Sequence, residues 1–529
     1  MGTDRSQVRL AELVAALSLG IDLGFGQPME HVLRQCLIAL RLAERVGLSD
    51  EQRRAVYYTA LLINVGCHTD AHEQAKWFGD DIAAKSNKYA HEFGSVRGAV
   101  AMMRSIGSGA RTPLHRFRVG LEFVLSGHRE VDGMIAHHAA IARSLAQQLS
   151  LPAEVLTALG GVYEQWDGRG WPGDLKGEQV PLAARFAQLA EFCEVAFRVG
   201  GAEGVRELAR RRAGGQFDPA LAAVLAGDAD EILAGLETVV TWDAVIDAEP
   251  ALAVVLSDER FEQALAAVAA FVDLKSPYTL GHGRAVADLA AAAAVGLRLD
   301  ADEVRIVRRA GLVHGLGRLG VSNSILDKPG PLGAGEWERV RLHPHITERM
   351  LHQSAALAPL GQIAVAHRER LDGSGYPRGV NGSAITRPAR IIAAADAYQA
   401  MREPRPYREP LTADAAAREL RADVRAGRLD GEVVEAVLGA AGHRVARRRE
   451  GPAGLTTREV EVLRLMARAL PNRVIADRLV ISPKTVANHV EHIYAKIGAS
   501  TRTQACLFAM QHGLLPEEQF DAPTAPKMG

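Results

Sequence analysis

Cysteine, aromatic residues and any excess of one charge are all scarce in this chain. Its 529 residues include four cysteines, Cys36, Cys67, Cys193 and Cys506, and no two of them form a CxxC pair. That argues against a disulfide framework or a thiolate metal site and fits a reducing compartment. Aromatic residues make up 5% of the sequence and charged residues 24%, against 48% hydrophobic. Such an Ala- and Leu-rich composition favours helix and leaves little room for long disordered tracts. The formal net charge of −1 rules out a chain that is basic throughout, so any nucleic-acid signal has to be local. No uncharged apolar stretch approaches the roughly 20 residues needed to cross a bilayer. The start, MGTDRSQ, lacks the basic and apolar regions of a secretion signal. The expectation is a cytoplasmic, multidomain, all-α protein with no membrane partner, because a chain of this length exceeds one hydrophobic core.

What the sequence does contain is a repeat. GWPGDLKGEQVPLAARFAQLAEF, from Gly170, parallels GYPRGVNGSAITRPARIIAAADAY, from Gly375, without a gap. One constant offset pairs Asp167 with Asp372, Arg185 with Arg390, Glu191 with Asp396 and His138 with His343. A larger constant offset pairs His31 with His282 and Ile63 with His314. The first copy is therefore longer between Asn64 and His138; helices are expected there, broken near Ser105 to Ala110. Apolar residues at three- and four-residue spacing, such as Leu37, Leu40, Leu42 and Val46, predict helices in both copies. The reading places the first copy in 1–200, a helical connection in 201–255 and the second copy in 256–442. A basic linker with Arg444, Arg447, Arg448 and Arg449 follows in 443–454, then a helical domain in 455–515 and a flexible tail in 516–529.

In the second copy His282, His314, His343, His367 and Asp396 fall on or beside predicted helices, and imidazole with carboxylate suits Zn, Fe or Mn. The motifs run YTLGH (278–282), LVHGLGRLGVSNSILDKPGPL (312–332), HP (343–344), HRERLDGSGYP (367–377), ARIIAAADAY (389–398) and RPYR (405–408). In that order they resemble the HD-GYP family, all-helical metal phosphohydrolases that open cyclic di-GMP. The resemblance covers 261–440 closely and 20–200 as a worn second copy. It implies that His282, His314 and Asp396 bind one metal and His343 and His367 a second, while Arg318, Arg405 and Arg408 face ligand phosphates. Two positions depart from the pattern: Gly315 stands where the family has a metal-bridging Asp, and Arg368 where it has the second of two paired histidines. Glycine supplies no ligand and a guanidinium cannot coordinate a metal at neutral pH. The two-ion route thus loses its bridge, leaving a two-His, one-carboxylate set for a single divalent ion, Fe, Mn or Zn. The first copy has Ile63 and Asn64, Val162 and Tyr163, and Glu191 at the matching positions and is expected to bind no metal. His31, His137, His138 and His345 read as satisfied or surface side chains, and the glycines of GRGWP and GSGYP as turn formers.

The C-terminal segment reads helix by helix. Thr456 and Glu459 form a capping box for a helix ending near Ala469, and Pro471 opens a second, NRVIADRL. Ser482 caps a third, with Pro483 at its first position and Gly498 closing it; a fourth runs from about Thr501 to His512. Val486, Val490, Ile493 and Ile497 share one face of the third helix, with Lys484, Asn488, Glu491 and Ala495 opposite. Eight basic residues, Arg458, Arg464, Arg468, Arg473, Arg478, Lys484, Lys496 and Arg502, oppose Glu459, Glu461, Asp477 and Glu491, a net charge of +4 that favours phosphate contact. GLTTREVEVLRLMARALPNRVIADRLVISPKTVANHVEHIYAKIG resembles the LuxR/NarL-type helix-turn-helix family. That implies binding to double-stranded DNA as a homodimer, with Ala487, Asn488 and Glu491 at base-reading positions, Lys484 and Thr485 near the backbone, and Arg473 also among the DNA-binding residues. The functional reading is a DNA-binding transcriptional regulator whose tandem body senses a nucleotide or another small molecule. A targeted metal-dependent phosphohydrolase, and a purely structural dimerisation body, stand as rivals.

Overall fold

The computed structural model describes residues 8–89, 106, 113–123, 128–250, 254–444, 452–479 and 481–514. Arg447, Arg448 and Arg449, the tail 516–529 and, apart from Ile106, the expected break at Ser105 to Ala110 lie outside these residues. Among the described residues every regular element is a helix, and extended chain pairs only in isolated bridges such as Arg9 with Val255. The chain divides into two compact units, Met1–His443 and Arg444–Gly529, each with its own apolar core.

In the first unit the repeat is visible helix by helix. His31–Val46, Asp50–Leu62, Ala153–Gly160 and the start of Leu182–Arg212 recur as His282–Gly296, Ala301–Val313, Ala358–Ala364 and Arg387–Arg402. The local causes recur too. Ser49 with Gln52, and Asp300 with Glu303, build capping boxes at equivalent helix starts. Glu30 and Gly281 both adopt left-handed backbone, φ 78° and 75°, and launch the helices that begin with His31 and His282. Gly170 and Gly375 sit where a Cβ would come within 2.2 and 2.4 Å of backbone nitrogen atoms, so both loops need glycine for close approach.

The two copies share one core, which runs from Val8 to Leu438. The segment expected as a connection is part of the first copy's wall: Leu221, Leu225, Leu233, Trp242 and Val245 are buried in the common core. Arg41 ties this wall to the helix His31–Val46 by donating to the carbonyl oxygens of Ile232 and Ala234, both at 2.8 Å. The extra length of the first copy supplies part of the junction with the second. From the helix Asp81–Ser86, Asp81 accepts hydrogen bonds from Ser322 Oγ at 2.7 Å and from the Asn323 amide at 2.8 Å. Its other carboxylate oxygen meets Lys85 Nζ at 3.1 Å and Lys275 Nζ at 3.5 Å, all three side chains being buried. His72 reaches Asp327 across the same junction at 2.8 Å.

Candidate functional site

The second copy brings its five expected donors together. His282 opens one helix, His314 ends the helix Ala301–Val313, His343 lies within Ala334–His352, His367 follows Ala358–Ala364, and Asp396 lies on Arg387–Arg402. All five are buried. His314, His343 and His367 each turn Nδ1 to a backbone carbonyl, of Gly311, Val340 and Ala364, at 2.6, 2.6 and 2.7 Å. His282 Nδ1 meets Glu403 at 2.8 Å. With Nδ1 carrying the proton in each bond to a carbonyl, His314, His343 and His367 direct an Nε2 lone pair inward, the tautomer a metal ligand requires. Burial, with Arg318 nearby, holds His314 and His343 neutral by lowering their pKa to about 3. Burial also lowers His367 well below the ordinary histidine value. His343 Nε2 and His367 Nε2 stand 3.2 Å apart, two lone pairs facing each other.

Asp396 divides its two oxygens. Oδ1 faces His282 Nε2 at 3.1 Å and His314 Nε2 at 3.7 Å, and one donor atom from each of these three residues lies within 4.8 Å of the others. Arg368 Nη2 lies 3.1 Å from Oδ2 as an ion pair and also donates to Oδ1 at 3.5 Å. Burial pushes the Asp396 pKa up, but Arg368 and the His282 hydrogen bond outweigh it and hold the carboxyl well below its usual range. The donor set therefore fits one divalent ion on the Oδ1 side. On the Oδ2 side a fixed organic cation is already in place. Glu403 escapes a sequence reading, because it follows the last residue of the helix Arg387–Arg402 in extended backbone, where helical spacing from Asp396 no longer applies.

The first copy repeats the substitution with different atoms. Glu191, at the position of Asp396, is bound by Lys88 Nζ at 2.5 Å, by Asn64 Nδ2 at 2.7 Å and by the Tyr89 hydroxyl at 2.9 Å. His31 pairs with Glu194 and His138 with Asp70. The two histidines surviving in this copy are thus held by carboxylates, while His137 is exposed. Lys88 comes from the added segment and aligns with nothing in the second copy.

Beside the second copy's donors opens a cavity of about 680 Å³. Lys275, Arg318, Lys328, Arg368, Arg405 and Arg408 line it together with Tyr278, Trp337, Tyr376 and Tyr407, and no carboxylate is among its lining residues. Buried Arg318 Nη1 and Arg368 Nε have no hydrogen-bond partner among the described residues. A low-dielectric cleft with cations of one sign and aromatic faces suits a planar anion such as a nucleotide. The arginines differ in freedom. Arg405 donates to Tyr278 O at 2.6 Å and pairs with Glu403 at 2.9 Å. Arg408 donates to the carbonyl oxygens of Ala400 at 2.6 Å and Met401 at 3.2 Å, closing the end of the helix Arg387–Arg402.

The second unit is four helices, Thr457–Ala467, Asn472–Leu479, Pro483–Ile497 and Arg502–Gln511. Val486 and Ile493 are buried in its core, with Val490 and Ile497 packed against it. Ser482 Oγ accepts from the Thr485 amide at 3.1 Å, and Gly498, φ 67°, ends the third helix. Lys484, Asn488, Glu491 and Ala495 are exposed, Thr485 and Ala487 half-buried, and Arg473 is exposed on the second helix. Part of the domain's positive charge is engaged internally: Lys496 meets Glu459 at 2.8 Å, and Arg502 donates to Leu470 O at 2.5 Å. Arg468, Arg473, Arg478 and Lys484 are exposed.

Comparison with known proteins bears on both units. Residues 266–433 match the model of the HD domain, and residues 453–509 that of the bacterial regulatory proteins of the luxR family. The chain is 32% identical over 420 residues to 3'3'-cGAMP-specific phosphodiesterase 3 of Vibrio cholerae serotype O1, spanning 79% of this chain and 91% of that protein. It is 36% identical over 184 residues to the cyclic di-GMP phosphodiesterase response regulator RpfG of Xanthomonas campestris pv. campestris, spanning 34% of this chain and 48% of that one. The crystal structure of the V. cholerae cyclic GMP-AMP specific phosphodiesterase V-cGAP3 superposes with a TM-score of 0.57 at 27% identity, covering 83% of this chain and 99% of that one. The chain therefore belongs to the HD-GYP-like HD-domain family and ends in a DNA-binding helix-turn-helix domain of the bacterial luxR regulatory family.

Proposed function

We propose that this protein is a ligand-responsive transcriptional regulator in which the second HD copy binds a cyclic dinucleotide without hydrolysing it efficiently. The observation that carries the reading is Arg368. Its guanidinium sits 3.1 Å from Asp396 Oδ2, a fixed positive charge against the one carboxylate of the donor set. Gly315 leaves no carboxylate to bridge two ions. His282, His314 and Asp396 would hold a single divalent ion, Fe, Mn or Zn, which as a Lewis acid would polarise a phosphate oxygen. The protein's own groups supply the rest. Arg318 and Arg368 offer donors to phosphate, the aromatic side chains of the cavity stack on bases, and Glu403 fixes the His282 ring. Relatives whose names specify 3'3'-cGAMP and cyclic di-GMP support this ligand class.

The reading extends to a cytoplasmic homodimer on a two-part DNA site, with Lys484, Thr485 and Arg473 toward the backbone and Ala487, Asn488 and Glu491 toward the bases. No helix among the described residues is long and apolar enough to cross a membrane. The test combines metal analysis, thermal shift and turnover on the intact protein with 3'3'-cGAMP and cyclic di-GMP. The expected result is at most one ion per chain and a raised melting temperature, with little or no linear dinucleotide formed. Two tightly bound ions with rapid turnover would establish the phosphohydrolase reading instead. Gly315→Asp with Arg368→His should raise the metal content: a Cβ at 315 meets nothing closer than Arg318 Nη1 at 3.5 Å, an ordinary contact. Arg368→His alone should do less.

A further inference from the structure

The first copy has lost the donors of its metal site, and what replaced them is a different reactive group. Cys67 stands at the position of Arg318, Tyr163 at that of Arg368 and His138 at that of His343. The three converge. The Tyr163 hydroxyl lies 2.9 Å from Cys67 Sγ, the His138 and Tyr163 ring centroids stand 5.9 Å apart, and Asp70 pairs with His138. The sulfur thus lies against a phenol that can donate, beside which stands an imidazole paired with a carboxylate. Cys36 and Cys193 are buried outside this cluster, Cys36 meeting the Tyr57 carbonyl oxygen at 3.7 Å. Cys67 keeps 7% of its surface exposed, whereas both of those keep 0%.

We propose that Cys67 is a peroxide-reactive thiol, positioned by His138, Asp70 and Tyr163 in the converted centre of the first HD copy. The charged and titratable groups around it are His138, Asp70, Lys88, Tyr163, Tyr89 and Glu191. Burial alone would raise the thiol, but the charge and hydrogen bond of His138, then Lys88 and Tyr163, bring it below its ordinary value. His138 in turn is raised to about 10: burial opposes its charge, and Cys67 and Asp70 outweigh burial. Burial pushes Cys36 and Cys193 upward. In the reaction the thiolate sulfur attacks one oxygen of hydrogen peroxide. An S–O bond forms, the O–O bond breaks, and the departing hydroxide takes the His138 proton to leave as water. The sulfur is oxidised by two electrons to the sulfenic acid and the peroxide is reduced.

The experiment treats the intact, reduced protein with hydrogen peroxide and dimedone and follows each cysteine by peptide mass spectrometry. Cys67 should be labelled at least roughly tenfold faster than Cys36 and Cys193. His138→Gln should slow that labelling and move the midpoint of its pH profile upward. Should His138→Gln fail to fold, Tyr163→Phe gives the same comparison, and the wild-type pH profile stands by itself. Labelling of Cys67 no faster than of Cys36 and Cys193 would overturn the proposal. So would a rate and pH midpoint left unchanged by the folded variants.

Discussion

At the scale of single residues, the body balances its buried charges by fixed partners. Asp396 has Arg368, Glu191 has Lys88, and Asp81 has two lysines. The last arrangement is over-supplied, because two ammonium groups share one carboxylate in a dry junction. Burial, only partly offset by Asp81, lowers the Lys275 pKa from 10.5 to about 8. Between those values the unfolded chain holds a proton that the folded one has released, so this site's contribution to stability rises with pH. Asp81 works in the opposite range. Burial would raise its carboxyl, yet Lys275 and Lys85 lower it from 3.8 to about 2, so its contribution is present above 3.8 and lost as pH falls toward 2. Lys275→Met should be neutral or stabilising at neutral pH, since Lys85 still pairs Asp81 at 3.1 Å. On moving from below pH 8 to above it, wild type should gain on the variant by up to about 1.4 kcal/mol per pH unit. Urea denaturation of both proteins on either side of pH 8 measures this. An unchanged difference would show that Lys275 keeps its proton throughout.

At the scale of elements, the third helix of the C-terminal unit separates its tasks by face. Val486 and Ile493 anchor it in the core, and Lys484, Asn488 and Glu491 project on the exposed side. A cation that meets phosphate adds affinity without regard to sequence, whereas an amide that meets a base edge adds discrimination. Lys484→Ala should therefore weaken binding to all duplexes alike and reduce the salt dependence. Asn488→Ala should flatten the preference among sites, by about 1 to 3 kcal/mol at the base it reads. Titrations against a panel of duplexes at several salt concentrations separate the two. Equal losses on every duplex for Asn488→Ala would remove it from the base-reading set.

At the scale of the whole molecule, the separation of cores matters most. One continuous core holds both HD copies, so the first copy cannot unfold without exposing apolar surface of the second. The C-terminal unit closes its own small core around residues such as Leu463, Ile475 and Val486. Cooperative unfolding follows the core, so calorimetry should show two transitions, the larger belonging to both copies together. Truncation after residue 443 should remove the smaller transition and the DNA affinity while leaving the larger in place. Three transitions, with the two copies melting separately, would contradict the shared core.

The sequence by itself determines the helices, the repeat and the DNA-binding domain, because the forces behind them are local. Apolar spacing along Val486, Val490, Ile493 and Ile497, the caps at Ser49, Asp300, Thr456 and Ser482, and the close-approach glycines Gly170 and Gly375 all act within a few residues of chain. It also supplies the five donors, His282, His314, His343, His367 and Asp396, and marks Gly315 and Arg368 as departures. Tertiary structure alone decides what those departures become. That Arg368 turns onto Asp396, that Lys88 reaches Glu191, that Cys67 meets Tyr163 and His138, and that Asp81 docks beside Lys275 depend on contacts between distant segments. Such contacts leave no period in the sequence. They are fixed by how helices pack, and a buried charge takes whichever partner that packing brings within reach.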